Sequence, residues 1–296
     1  MEQLSTEARN PRTHDLDEMA VCDLLHAMNA ENQRVPEAVA ASIPAIEASV
    51  DLIVERLRAG GRLLYLGAGT SGRLGLLDAV ECPPSFGTDV GMVLGLEAGG
   101  QGPFTEADEG AEDRSELGEV DLRGSGLSEQ DVVVGITASG RTPYVLGGLN
   151  YARATGAVTI ALSCNTDAEV SAYADVAIEV ETGPEALTGS TRLKAGSAQK
   201  LVLNMLSTAA MIRLGKVYEN LMVDVQPTNE KLIARAQRVV AEATGCELAA
   251  AADYLERAGR TPKVAIVMLL AECDYESALE RLANADGFVR RALQLD

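Results

Sequence analysis

The run Gly67-Ala68-Gly69-Thr70-Ser71-Gly72 follows the apolar Leu63-Leu64-Tyr65-Leu66 and precedes a stretch of helical spacing. A glycine turn in that position leaves backbone N–H groups free at a helix start, where the helix dipole helps them hold a phosphate. The same pattern fits a dinucleotide fingerprint, with Glu97 as the ribose-binding acid. Thr70 and Ser71 weigh against that reading, because two hydroxyls in the turn suit a single phosphoryl or sugar group. A second turn, Thr137-Ala138-Ser139-Gly140-Arg141-Thr142-Pro143, offers Thr142 as a helix N-cap and Pro143 at the first helical position. Two such turns on one sheet edge make a pocket for a sugar phosphate. A third stretch, Thr188 to Lys200, collects Arg192, Lys194 and Lys200 with the hydroxyls of Thr188, Ser190, Thr191 and Ser197, and supplies counter-charge for an anion.

Proton transfer must come from carboxylates. The histidines are His14 and His26, both near the N-terminus and outside the region of these turns, so a Ser-His-Asp arrangement has little material. Candidate acids near the turns are Asp78 and Glu81, then the acidic run Glu106, Asp108, Glu109, Glu112, Asp113 and Glu116. Residue type and spacing do not choose among them, since a charge run is usually a solvated face. Glu81 stands between the apolar Leu76-Leu77-Asp78-Ala79-Val80 and the stiff Cys82-Pro83-Pro84, a setting that suits a neutral general acid.

Composition excludes several functions. A formal charge of −19 over 296 residues argues against nucleic acid and anionic membrane surfaces, both of which need clustered Lys and Arg. With 3% aromatics and no Trp there is little for base stacking. The five cysteines are scattered without a CxxC pair, which fits reduced thiols and neither a disulfide framework nor a zinc site. The N-terminal segment is polar, and no apolar run approaches the roughly 18 residues of a membrane span, so a cytoplasmic protein is expected.

Elements that would position the turns follow from periodicity. Residues 1–35 read as an arm with a helix near Leu16 to Asn29, and a helix is expected from Pro36 to Ala59. Five short apolar runs, at residues 61–69, 89–100, 131–140, 157–164 and 175–181, then alternate with helices or loops, as in an α/β fold with a buried parallel sheet. A long helix over Ser190 to Leu214 and another over Thr228 to Ala243 follow. The expected organisation is an arm (1–35), an α/β domain (36–245) and a small helical domain (246–296).

The segments GAGTSGRLGLLDAVECPPSFG, EGAED, ASGRTPYV and TGSTRLKAGSAQKLVLNMLSTAAM, together with Ser5-Thr6-Glu7-Ala8-Arg9-Asn10, resemble the N-acetylmuramic acid 6-phosphate etherases of the sugar isomerase domain superfamily. The resemblance spans nearly the whole chain. It implies a sugar isomerase-type parallel sheet flanked by helices, with a small C-terminal all-helical domain. It also implies a lyase that cleaves the D-lactyl ether of N-acetylmuramic acid 6-phosphate, by syn-type elimination and water addition, in cell-wall recycling.

On that likeness Glu81 is the proton donor to departing lactate and Glu112 the base at C2. Gly69, Thr70, Ser71, Ser139, Gly140, Thr142, Ser190, Thr191, Arg192 and Lys194 would bind the sugar phosphate, with no metal or organic cofactor. A homodimer with a shared active site is implied. Because a helix from about Gly72 to Val80 carries Glu81 away from the phosphate turn beside it, Glu81 acts either in its own subunit or in the neighbour's site, and the arm, with Thr13 and Asp17, is a candidate to cross the interface. Residues 99–106 depart from the pattern by placing a proline where helix-compatible residues are expected. An aldose–ketose isomerase would share the fold and turns but needs a single base between C1 and C2. A non-catalytic sugar-phosphate-sensing regulator of the same superfamily would have lost a glutamate of the pair, and the chain keeps both.

Overall fold

The five apolar runs form one parallel sheet: β1 (Leu63–Gly67), β2 (Val93–Glu97), β3 (Val132–Thr137), β4 (Val158–Ser163) and β5 (Val176–Glu179), in the order β2-β1-β3-β4-β5. The structure, a computed structural model, describes residues 4–100, 110–227 and 229–295. Strands β1, β3 and β4 are buried along their whole length, which is why they read as unbroken apolar runs and not as alternations. The helices are α1 (Val21–Asn32), α2 (Val35–Ala41), α3 (Ile43–Arg58), α4 (Gly69–Phe86), α5 (Ser115–Gly124), α6 (Pro143–Thr155) and α7 (Lys194–Arg213). Leu64, Leu66 and Val133 of the sheet pack with Leu122 of α5 and with Tyr144, Val145 and Leu149 of α6. Tyr65, pointing the other way, donates to Asp78 of α4 at 2.9 Å, and Asn204 and Ser207 of α7 reach the same carboxylate.

Several boundaries differ from those expected. The helix expected over Pro36 to Ala59 is two helices divided at Ser42, because Pro44 has no N–H to continue a ladder. The hydroxyl of Ser42 donates instead to the carbonyl of Glu179 at 2.8 Å. In the arm the helix begins at Val21, and Leu16–Glu18 is a single tight turn. α4 continues through Pro83 and Pro84 to Phe86. α7 starts at Lys194, where the Glu185 carboxylate accepts from the N–H groups of Lys194 (2.9 Å) and Ala195 (3.0 Å) and so caps the helix. Glu106, Asp108 and Glu109, and most of the proline-containing segment 99–106, lie outside the described residues.

The chain packs as two compact units, residues 1–80 with 91–207 and residues 81–90 with 208–296. The first contains the sheet. The second contains the hairpin β6 (Val217–Tyr218) and β7 (Leu221–Met222) and the helices α8 (Glu230–Thr244), α9 (Leu248–Arg257), α10 (Pro262–Leu270), α11 (Tyr275–Asn284) and α12 (Val289–Ala292). Ala236, Val239 and Val240, on one face of α8, share a core with Leu255, Ile266, Leu282 and Val289. This shared core places α8 with the helices that follow it, whereas the sequence reading began the helical domain at 246. No helix of the described residues is long and apolar enough to cross a membrane.

The arm is fastened to the first unit by buried polar groups. Thr13 donates to the carbonyl of Ala186 (2.8 Å) and Asn10 to that of Pro184 (3.2 Å), so Thr13 is occupied within its own chain. Glu31 of α1, with its side chain 2% exposed, accepts from Arg12 at 2.5 Å and from Lys194 at 2.7 Å. Burial opposes ionisation of Glu31, but hydrogen bonds from Arg12 and Lys194 prevail and hold its carboxyl at about 2. Replacing Glu31 strands the Lys194 ammonium in the interior, which typically costs about 3–5 kcal/mol.

Glu31→Ala is therefore expected to lower the thermal midpoint strongly. Glu31 ionises in the folded chain at about 2 against an ordinary 4.5, so its contribution is complete above the ordinary value and is lost as pH falls toward 2. Urea unfolding from pH 6 to pH 2.5 should show a steeper acid loss of stability for the natural chain than for Glu31→Gln.

Candidate active site

Because β1 leads to β2 on one side and the chain returns to β3 on the other, the connections leaving the carboxyl ends of β1 and β3 diverge. A crevice opens where they part, the usual binding place in such sheets. Here it is a cavity of about 560 Å³. Its walls are Ala68, Gly69, Thr70 and Ser71 from the first turn, and Ala138, Ser139, Arg141, Thr142 and Pro143 from the second. Glu112 and Asp113, Thr191 and Glu7 complete it.

The first turn owes its shape to its glycines. A Cβ on Gly67 would lie 2.7 Å from the backbone nitrogen of Gly72, and one on Gly72 2.5 Å from the carbonyl oxygen of Gly67, so strand end and helix start touch backbone to backbone. Gly69 takes φ +52° between them and opens α4. Gly69, Thr70 and Ser71 at the start of α4 thus line the cavity, while the Ser71 hydroxyl donates to the side-chain carbonyl of buried Gln199 at 3.0 Å. In the second turn Thr137, buried at the end of β3, lies 2.8 Å from the Thr142 hydroxyl and 3.3 Å from that of Ser139, and accepts from the Gly140 N–H at 3.2 Å. Two helix starts with hydroxyls between them have the geometry that can hold an oxyanion.

Glu112 reaches this cavity because α5, which follows its turn Ala111–Asp113, lies close against α6. A Cβ on Gly118 would fall 2.1 Å from the carbonyl oxygen of Tyr144, and one on Gly147 2.0 Å from that of Ser115. The Tyr144 hydroxyl donates to Asp121 at 2.7 Å, and burial together with that carboxylate pushes the phenol above its usual range, so it stays a donor. Thr142, the N-cap of α6, and Glu112, just ahead of α5, are thereby brought to one opening.

Of the residues proposed from sequence, Gly69, Thr70, Ser71, Glu112, Ser139, Thr142 and Thr191 line the cavity. Gly140 is buried behind the second turn with φ +78°, its carbonyl accepting from Val170 at 2.8 Å. Ser190 is half-buried and is not part of the lining. Arg192 lines a separate cavity that also touches Thr70. Lys194 is 1% exposed and pairs with Glu31. Glu81 is exposed on α4, twelve positions after Gly69 or about 18 Å of helix rise, and does not line the cavity. Asp113, one of the candidate acids of the acidic run, also lines it, as do Glu7 and Arg141, which were not chosen from sequence. Glu7 is set by its neighbour Thr6, whose N–H donates to Asn165 (3.3 Å) and whose hydroxyl accepts from it (3.0 Å).

A parallel sheet in this order, with hydroxyl-rich helix starts at its switch point, defines a sugar isomerase (SIS) domain. The matching domain families are the Glucokinase regulatory protein N-terminal SIS domain, over residues 45–153, and the SIS domain, over residues 119–209. Phosphoheptose isomerases of Neisseria gonorrhoeae and Francisella tularensis share the fold with TM-scores of 0.50, at 19% and 17% identity. They cover 64% and 66% of this chain and 98% and 100% of their own. Two proteins named N-acetylmuramic acid 6-phosphate etherase, from Bacillus cereus (strain ATCC 14579) and Bacillus anthracis (strain CDC 684), are each 59% identical over 293 residues, 99% of this chain and 100% of theirs. The chain belongs to the N-acetylmuramic acid 6-phosphate etherase family, and it is an enzyme of the carbon–oxygen lyase class.

Two substitutions probe this geometry. Thr142→Val keeps the shape but removes a hydroxyl, and should weaken inorganic phosphate binding about tenfold by calorimetry with little change in thermal midpoint, as expected for a lost bond to a charged group. Gly147→Ala forces α5 off α6 and should cost about 1–3 kcal/mol of unfolding free energy while also lowering catalytic rate, since Glu112 moves with α5.

Proposed function

We propose that the enzyme cleaves the D-lactyl ether at C3 of N-acetylmuramic acid 6-phosphate, giving N-acetylglucosamine 6-phosphate and D-lactate. The observation that carries this reading is the presence of the Glu112 carboxylate in the same cavity as the two helix-start turns. Phosphate on the turns fixes the open-chain sugar, and a base beside it takes the C2 proton, which is acidic because of the neighbouring C1 aldehyde. The electron pair left at C2 is delocalised into the carbonyl as an enolate, whose oxyanion the amide and hydroxyl donors stabilise. The enolate collapses, the C3–O bond breaks, and lactate leaves with a proton from the general acid. Water then adds at C3 of the unsaturated aldehyde and a proton returns to C2, so the two carboxyl groups exchange roles.

Glu112 is the base and Glu81 the acid in this scheme. Glu81 acts across a homodimer, completing the site of a second copy. Its distance along α4 supports that assignment, as do Leu77 and Val80 beside it, which are 49% and 57% exposed and give the helix an apolar face for a partner to cover. The reaction belongs to recycling of cell-wall sugars, and the enzyme works in the cytoplasm.

The test is lactate release in deuterated water. The natural chain should release D-lactate and place deuterium at C2, and Glu81→Gln and Glu112→Gln should each lose roughly 10²- to 10⁴-fold in rate. Mixing the two variants should restore activity if the site is shared between subunits. A folded natural protein that releases no lactate would overturn the reading.

A further inference from the structure

Beside the active site lies a second cavity, of about 430 Å³, that shares Thr70 with it. Its charge is opposite. Arg192 and Lys200 line it together with the apolar Val35, Pro36, Leu74 and Leu201, and no carboxylate is among its described lining residues. The active-site cavity, by contrast, is lined by three acids, Glu7, Glu112 and Asp113, and by Arg141. Neither Arg192 nor Lys200 forms a salt bridge within 4.0 Å among the described residues, although the Lys200 charge also favours ionisation of the buried Asp78, in a chain with 44 acidic and 25 basic side chains. The third cation of that stretch, Lys194, is committed to Glu31. Gly196 lines the pocket next to Thr70, whose methyl would lie 3.4 Å from a Cβ there, an ordinary contact distance.

The substrate proposed above carries two anions, a phosphate and a lactyl carboxylate, and a methyl group beside the carboxylate. The phosphate is served by neutral amides and hydroxyls at the two helix starts. A second anion in the same cavity would face Glu112 and Asp113. We propose, resting on the etherase reading, that Arg192 and Lys200 bind the lactyl carboxylate in the neighbouring pocket, with its methyl against Val35 and Leu74. Arg192 offers a planar fork that matches a carboxylate, and Lys200 adds a point charge. Selection of a lactyl ether over other phosphosugars then rests on this pocket. After cleavage the sugar product has no group to place there.

The test compares Arg192→Gln, Lys200→Gln and Arg192→Lys with the natural chain. Three ligands are used: N-acetylmuramic acid 6-phosphate, its lactamide analogue and N-acetylglucosamine 6-phosphate. The glutamine variants should raise KM for the acid by about tenfold or more, the size of a lost charged hydrogen bond. They should also lose the natural preference for acid over amide and bind N-acetylglucosamine 6-phosphate unchanged. Arg192→Lys should recover part of the acid preference. Equal weakening toward N-acetylglucosamine 6-phosphate would assign these cations to the phosphate and overturn the proposal. So would an unchanged KM and acid preference in variants whose natural parent releases lactate, an outcome that leaves the etherase reading standing. A natural chain without lactate release would instead remove that reading, and the subsite with it.

Discussion

A carboxylate buried between two cations governs how the rest of the site is supplied with charge. Glu31 is almost wholly covered, and it stays ionised because Arg12 and Lys194 approach from two parts of the chain, with Asn10 adding a hydrogen bond. Each partner pays part of the desolvation that none could bear alone. In doing so the cluster removes Lys194 from any ligand, fixes the first residue of α7, and fastens the arm that brings Glu7 to the cavity. The neighbouring Glu185, whose carboxyl burial pushes upward while the amides of Ala195 and Lys194 pull it down, holds the same helix start from the other direction. Of the cations in that stretch, Arg192 and Lys200 remain, separated from the cluster and lining their own pocket, while Arg141 lines the active-site cavity.

The placement of the carboxylate base depends on contacts of a different kind. Where α5 meets α6, and where β1 meets α4, backbones approach to distances that no side chain permits. Main-chain atoms in such contacts have little freedom, because the packing is set by bond geometry and not by rotamers. Thr142 and Glu112, each at the end of an element held in this way, inherit that rigidity. Preorganised donors of this sort stabilise a developing enolate without having to move.

Much of this architecture is legible in the chain itself. Strands buried on both faces announce themselves as unbroken apolar runs, as β1, β3 and β4 do, and the partly buried β2 and β5 are also legible as short apolar runs. The two helix-start turns are equally plain, since glycine, serine, threonine and proline each act there through local geometry. Sequence says less about Lys194, which reads as a ligand-facing cation because its partner Glu31 lies 163 residues away. Glu7 was missed because a tight turn in the arm carries no mark of where the arm docks, although it falls inside the Ser5 to Asn10 stretch that resembles the family. The division at Ser42 was hidden because the apolar spacing of α3 continues through it. Glu81 is marked in sequence by its stiff, partly apolar setting, but that setting does not say which opening it serves, and α4 carries it twelve residues from Gly69.

The second compact unit is discontinuous, since residues 81–90 belong with 208–296. On a ribosome the earlier segment therefore emerges while the residues it packs with are still unmade. At about 5–20 residues per second the interval is on the order of ten seconds. Throughout it, Cys82 and Phe86, both buried in the finished fold, remain without their final surroundings. The helix that opens the phosphate turn must hold its first half in place while its second half waits. For this chain the vulnerable moment of biogenesis is the completion of α4, and a chaperone binding nascent chains would find its apolar target there.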